Sequence, residues 1–252
     1  MIETINDSQC CGTDEDLFLQ VCNDFKDQYI NNQKILFIQT LQLQLSAFNR
    51  DVARNKGYYA YPPTGLQWLV KSLETTDLDV SILDLNYEFL RRIIEDDTFS
   101  PNDWLSIVDE WLDKIQPSVV GVSCIGVSTN LLDDNHPLTG VLRHVKKKNS
   151  CIVIAGGPIA TNEYKDCLNH DLCHFVAANE SENKTKYLLR SLYGYLSDEK
   201  SISGIYFVNG NGIAKTKGSS DVVQLEGNIV STYSSIPIEK YNSVGSLNPF
   251  SR

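Results

Sequence analysis

Five short apolar runs, each bounded by turn residues and separated by stretches of helical periodicity, leave this chain few folds to choose from. KILFIQ (34–39), DVSILDL (79–85), SVVGVSC (118–124), CIVIAGG (151–157) and HFVAAN (174–179) have strand length and are apolar on successive residues. Such strands need cover on both faces, the condition of a parallel sheet enclosed by helices. The intervening segments supply it. Pro63 opens TGLQWLVKSLE, where Leu66, Leu69, Val70 and Leu73 share a face. Further helices are predicted over 102–115, with Trp104, Ile107, Val108, Trp111 and Leu112, over 137–148, near 162–169 and over 184–196. The run Lys146, Lys147, Lys148 suits the negative end of the helix over 137–148. The expected fold over 34–200 is α/β: a Rossmann-like or flavodoxin-like, doubly wound, mostly parallel five-stranded sheet.

Either side of that unit the texture changes. Residues 1–33 read as an acidic N-terminal arm, partly helical from Asp14 to Phe25. GIYFVNGNGIAKT, around Asn209-Gly210-Asn211-Gly212, predicts a small C-terminal β-hairpin extension at 201–218. Residues 219–252 have no periodic pattern and read as a linker or tail toward a further, catalytic domain. With a formal charge of -10 over 252 residues, the surface repels phosphate backbones and anionic lipid, so nucleic acid and membrane are excluded as expected partners. Seven cysteines, several inside apolar runs, and no basic segment followed by an apolar one in Met1–Gln9 predict a reducing cytoplasmic location.

In an open parallel sheet the ligand crevice lies beyond the carboxyl ends of the strands, where strand order reverses. The connections to search are therefore Gln39-Thr40-Leu41-Gln42, Ser123 to Thr129, Gly156-Gly157-Pro158 and Asn179-Glu180-Ser181-Glu182. The glycine pair either admits a ligand close to the backbone or merely turns the chain. Neither G-x-G-x-x-G after a strand nor G-x-x-x-x-G-K-[ST] is present, and no G-x-S-x-G elbow supplies a hydrolase nucleophile.

Taken in order, KILFIQ, Tyr61-Pro62-Pro63-Thr64-Gly65-Leu66, DVSILDL, Pro117 to Ser123, IVIAGGPIAT (152–161), Asn179-Glu180-Ser181-Glu182 and GIYFVNGNGIAKT resemble the N-terminal cobalamin-binding domain of cobalamin-dependent radical SAM enzymes, over about 34–245. The resemblance implies that Thr40, Leu41, Ser123, Cys124, Ile125, Gly126 and Ser128 lie against the corrin. It implies that Gly156, Gly157 and Pro158 flank the nucleotide tail, and that Asn179, Glu180 and Glu182 close the rim. Two departures from the family pattern stand out. Its Gly-Glu-Gly-Glu is here Asn-Glu-Ser-Glu, whose side chains at Asn179 and Ser181 are expected to narrow the loop. The D-x-H-x-x-G motif that supplies a cobalt ligand in the wider cobalamin fold is also missing, since Gln39 to Phe48 contains no histidine. The implied cofactor is therefore held without a protein histidine, over an apolar lower face drawn from Leu41, Leu43 or Leu45.

Radical SAM chemistry needs a 4Fe–4S cluster on C-x-x-x-C-x-x-C, a spacing none of the seven cysteines has. The cluster and S-adenosylmethionine are thus expected on a barrel supplied in cis or in trans, and this chain is not expected to catalyse by itself. The alternative function is a degenerate interaction or substrate-gating domain that no longer binds cobalamin. A flavodoxin-like flavin or signalling domain fits less well, for want of a hydroxyl-rich phosphate loop or clustered aspartates after the first strand. Cys167, His170, Cys173 and His174 place two thiols and two imidazoles within eight residues, but not at the spacing of a standard zinc finger. Buried thiols with a surface His170 are the expected arrangement, and no metal site is assigned. The Trp104/Trp111 pair is expected in the core, and Tyr58, Tyr59 and Tyr61 on a rim loop.

Overall fold

The computed structural model describes residues 14–125, 131–195, 201–219 and 238–245. In chain order the elements are α1 (Asp14–Tyr29), β1 (Lys34–Gln39), α2 (Arg50–Arg54), α3 (Thr64–Leu73), β2 (Asp79–Asp84), α4 (Leu85–Glu95), α5 (Leu105–Ile115), β3 (Val119–Ser123), α6 (Pro137–Lys148), β4 (Ile152–Gly156), α7 (Pro158–Asn162), α8 (Tyr164–Asn169), β5 (Phe175–Ala177), α9 (Glu182–Tyr193), β6 (Ile205–Asn209) and β7 (Gly212–Lys215). Strand order is β2-β1-β3-β4-β5-β6-β7. The five expected strands are parallel, and the hairpin continues the same sheet, β6 lying antiparallel to β5.

Alternation along each strand divides the core into two layers, because successive side chains point to opposite faces. Leu36, Ile38, Val120, Val122, Val153 and Ala155 pack under α4, α5, α6 and α8, whereas Ile35, Phe37, Val119, Ile152 and Ile154 pack under α1, α3 and α9. This is the doubly wound arrangement. Trp104 is buried and Trp111 half-buried in the first layer, as expected.

Helix ends follow local chemistry. Asn49 accepts from the backbone N–H groups of Asp51 and Val52, Asp84 caps α4 by accepting from Tyr87, and His136 caps α6 through Nδ1, followed by Pro137 at the first helical position. At the other ends Gln116, Asn149 and Gly194 take left-handed conformations that stop α5, α6 and α9.

Three expectations need correction. Leu85, read as the end of the strand DVSILDL, and residues 86–95, assigned to no element from sequence, form α4: β2 runs into it with no intervening turn signal, so the Asp84 cap was hidden inside a strand-like run. The expected helix near 162–169 is two short helices, α7 and α8, broken at Glu163. Most consequentially, residues 14–29 are no arm. Phe18 and Cys22 are buried in the second layer, with Phe18 stacked on Tyr187 at 5.7 Å and against Phe207 at 5.6 Å. The boundary drawn at residue 33 therefore cuts through a core.

Within the expected tail, residues Ile238–Ser243 form a 3-10 turn tied to the sheet. Tyr241 is buried, its hydroxyl donates to Asp84 Oδ2 at 2.6 Å, and its ring lies 5.0 Å from that of Tyr87. Residues 220–237 and 246–252 lie outside the described residues.

Candidate functional site

Strand order reverses between β1 and β3, since the chain builds outward to β2 and then returns to the other side of β1. A cleft of about 180 Å³ opens on that region between the sheet, α3 and α9. Its floor is Phe37 of β1, Gly121 to Ser123 of β3, Ile154 and Gly156 of β4 and Ala177 of β5; Gly65, Leu66 and Leu69 of α3 form one wall, and Glu182 and Thr185 of α9 the other. Glycine inside an apolar strand signals close approach, and here the approach is internal: a Cβ on Gly121 would meet the Phe37 ring at 2.4 Å. Phe37 and Gly121 are register partners, so the ring lies flat across the strand beside it.

The two adjacent glycines have different reasons to exist. Gly157 has φ 98 and ψ 178, a region open essentially to glycine alone, and a Cβ there would sit 3.1 Å from the Cys124 carbonyl oxygen. Gly156 lines the cleft, and a Cβ on it would make only ordinary contacts, at 3.6 Å with Ala177 O and 3.8 Å with Ser181 Oγ. The turn reading holds for Gly157, whereas Gly156 borders the cleft and its conformation does not require glycine. Gly157→Ala is expected to cost about 2 kcal/mol in urea unfolding. Gly156→Val is expected to leave the unfolding curve nearly unchanged while filling the cleft; equal destabilisation by both substitutions would contradict this division.

The predicted site residues separate by strand alternation. Ser123 and Ile125 line the cleft, but Cys124 between them points into the core, fully buried, its thiol 3.5 Å from the Val122 carbonyl. Burial raises its pKa well above the ordinary thiol value. Thr40 and Leu41 are likewise core residues: the Thr40 hydroxyl donates to Ser123 O at 3.0 Å and joins the ends of β1 and β3, and Leu41 packs in the first layer. Pro158 starts α7 and is exposed, outside the cleft lining. Gly126 and Ser128 lie outside the described residues. Gly156, Gly157, Asn179, Glu180, Ser181 and Glu182 do converge on the cleft.

The Asn-Glu-Ser-Glu loop shows how it dispenses with glycine. Asn179 has φ 60, the left-handed conformation that asparagine tolerates best after glycine. Its N–H donates to Thr161 Oγ1 at 2.8 Å. Ser181 folds its hydroxyl back onto Ala177 O and Asn179 O, at 3.1 and 2.9 Å. The serine therefore serves the loop's own shape. Lys184, buried on α9, donates to Glu180 O at 2.5 Å. Sequence reasoning missed Phe37, Leu66, Leu69 and Thr185, whose periodicity marks them as core; the interior glycine at 121 was the available signal.

Tyr58 is half-buried against Phe48, Tyr61 is exposed, and none of Tyr58, Tyr59 and Tyr61 lines the cleft. Cys167 and Cys173 are buried, His170 is exposed, and His174 Nδ1 accepts from the Val153 N–H at 2.8 Å. Among the described residues no group of three or more His, Cys, Asp or Glu is placed to hold a metal ion.

Fold and site together define a doubly wound α/β domain with a small, largely apolar crevice at its topological switch point. Neither a protein-family model nor a curated protein matches the chain. Among solved structures it is similar in fold to the radical S-adenosylmethionine methyltransferase TsrM from Kitasatospora setae. The structure of TsrM with tryptophan substrate and the SAM analogue aza-SAM aligns with TM-score 0.51 at 16% identity, over 72% of this chain. The structure with cobalamin and a 4Fe–4S cluster aligns with TM-score 0.50 at 17% identity, over 78% of this chain. This chain spans 30% of the TsrM chain. Among the described residues no helix is long and apolar enough to cross a membrane.

Proposed function

We propose that this chain is a cobalamin-binding module of a radical SAM enzyme, holding the corrin over the carboxyl ends of the parallel strands without a histidine ligand. The 4Fe–4S cluster and S-adenosylmethionine then belong to a partner barrel, in cis or in trans. The observation that carries the reading is the cleft: apolar walls at the switch point, open over Gly156 and rimmed by Asn179, Glu180 and Glu182. Its lining fits a flat, largely apolar group such as the base of the nucleotide tail. Ile125 of the cleft lining is exposed, and the connections after β1 and β3 expose further apolar side chains, Val52, Tyr61 and Leu132, which suits a broad corrin face.

When bound, cobalamin supplies a cobalt centre able to carry and pass on a methyl group. The residues of this chain do the placing. Gly156 lets a ligand reach the backbone, Leu66, Leu69 and Ile154 exclude water from the slot, and the bonds among Thr161, Asn179 and Ser181 hold the rim in one shape. Leu43 and Leu45, half-buried beyond β1, remain available for an apolar lower face, whereas Leu41 belongs to the core.

The test is titration of the purified chain with hydroxocobalamin, followed by gel filtration. Stoichiometric co-elution with a base-off spectrum is expected. No retention at roughly 50 μM of each component, far above the Kd of a specific site, would rule the reading out. A degenerate interaction domain, whose partner covers the same exposed apolar rim, would take its place.

A further inference from the structure

Residues 238–245 return to the sheet at a place where lifting them away would uncover a charge. Asp84 ends β2, an edge strand, and is buried there. One carboxylate oxygen caps α4, accepting from the Tyr87 N–H at 3.2 Å, and the other accepts from the Tyr241 hydroxyl across 157 positions of chain. Tyr241 and Val244 are buried in the first core layer, and Lys240 Nζ lies 4.5 Å from the centre of the Tyr87 ring. Further along, Lys56 donates to Asn242 O at 3.3 Å, and Gly245, at φ 124, approaches Tyr58 O so closely that a Cβ has no room. The segment therefore grips two things at once, the end of β2 and the loop 56–58.

Its attachment is nevertheless slight. The Val244 N–H bonds to Tyr241 O and the Ser243 hydroxyl to Lys240 O, both inside the segment, and among the described residues no backbone pairing joins it to a strand. Beside it a cavity of about 250 Å³ runs along β2, lined by Val70, Val80, Ile82 and Trp111, so the packing there is incomplete. Segments with few backbone bonds and incomplete packing open at lower free energy than a core does. We propose that residues 238–245 are a clamp that opens without unfolding of the sheet, locked by the Tyr241–Asp84 hydrogen bond and closed more firmly by acid. Opening frees Tyr58 and with it the connection after β1, which carries Val52 and Tyr61, whatever the cleft holds.

The sign of the acid effect follows from the buried carboxylate. With the clamp closed, burial raises the Asp84 pKa from 3.8 to about 6, against the Tyr241 hydroxyl, the Tyr87 and Asn86 N–H groups and Lys240. With the clamp open, water reaches the carboxylate while the α4 donors remain, and the pKa returns toward 3.8. The closed form thus binds the proton more tightly, and a fall in pH through 6 favours it. A protonated Asp84 keeps the contact, because its Oδ2 can donate to the tyrosine oxygen. Around it stand Lys240 and Tyr241 of the clamp and Tyr87 and Glu88 of α4, Glu88 being paired with Arg91; β1 sets the neutral Gln39 beside it, α3 contributes Val70 and α5 Trp111.

Hydrogen exchange of the whole chain tests the clamp, read by mass spectrometry on peptides covering 238–245, 49–61, β3 and β4, with intrinsic rates divided out. The clamp peptide is expected to exchange well before β3 and β4. Its protection is expected to rise about tenfold from about pH 7.5 to about pH 5, and that of 49–61 to rise with it. Tyr241→Phe, which keeps the ring, is expected to lower clamp protection about tenfold at the higher pH and to leave β3 and β4 unchanged. Asp84→Asn is expected to abolish the response to pH. Exchange of 238–245 only in step with β3 and β4 overturns the clamp and makes the segment part of the core. Protection unchanged by Tyr241→Phe overturns the lock. A flat pH response in the unmodified chain, or one that survives in Asp84→Asn, overturns the effect of acid. Should Asp84→Asn not fold, Tyr241→Phe and the pH response of the unmodified chain decide.

Discussion

Truncating Phe18 to alanine is expected to lower the free energy of unfolding by about 4 kcal/mol, the usual cost of deleting a fully buried phenylalanine. The side chain is 0% exposed. It sits among Tyr187 of α9, Phe207 of β6 and, edge-on at 6.4 Å, Phe175 of β5. The hole left behind would border three separate elements, so it cannot be closed by moving one of them. Glu15 adds a polar tie on the same side of α1, accepting from the Tyr187 and Ser201 hydroxyls. Urea unfolding followed by circular dichroism measures the loss. A cost below about 1 kcal/mol would mean that α1 is detachable after all, and residues 1–33 would revert to an appended arm. A shortened chain beginning at Lys34 is expected to lose still more, because it uncovers the α9 and β6 surfaces as well.

Acidification should reveal two buried groups acting in opposite directions. His174 is 8% exposed, and its pKa is lowered from 6.5 to about 4 by burial first and by the Lys146 charge second, with Asp171 opposing. Between pH 6.5 and 4 the unfolded chain binds a proton that the folded chain refuses, so stability falls with falling pH, by up to about 3 kcal/mol. For Asp84 the pKa is raised from 3.8 to about 6 by burial, against the lowering effects of the Tyr241 hydroxyl, the Tyr87 and Asn86 N–H groups and Lys240. Between pH 6 and 4 the folded chain takes up the proton first, so stability rises as pH falls, by a similar amount. The two slopes nearly cancel in the unmodified protein. Asp84→Asn should therefore expose a steep loss on acidification, and His174→Gln a gain over the same range. The readout is the pH dependence of each variant's unfolding free energy relative to the unmodified chain. Curves parallel for all three proteins would sink both assignments.

Most of the architecture was legible because apolar periodicity reports burial, and burial on both faces of a strand occurs in few architectures. KILFIQ and CIVIAGG announced β1 and β4 to within a residue or two of their ends. What periodicity does not report is the partner. Leu17 and Val21 marked α1 as helical, but nothing local shows that Phe18 meets Phe207. The site was legible to the extent that it depends on connections after strands, so Gly156, Glu180 and Glu182 were found. It was not legible at the ends of β1 and β3, where alternation turns Thr40 and Cys124 inward while Ser123 and Ile125 face the cleft. An advance of one residue reverses the face, and a motif read as a block cannot register that. The wall residues Leu66 and Leu69 were hidden differently, because a side chain that borders a cleft has the same apolar periodicity as one packed wholly in the core.

The order of the sheet also sets a timetable for its making. Interior strand β1 must wait for both neighbours, since Lys34 pairs with Asp79 and Ile35 with Val119, and closing such distant pairs is what slows folding in parallel sheets. Helix α1 waits longest, because Phe175, Tyr187 and Phe207 all come late in the chain. During synthesis the first of the described elements to leave the ribosome is thus the last to be covered. A nascent chain arrested before β5 carries Phe18 and Cys22 bare, and it is at this stage, more than in the finished fold, that the protein is most exposed to aggregation and most in need of a chaperone.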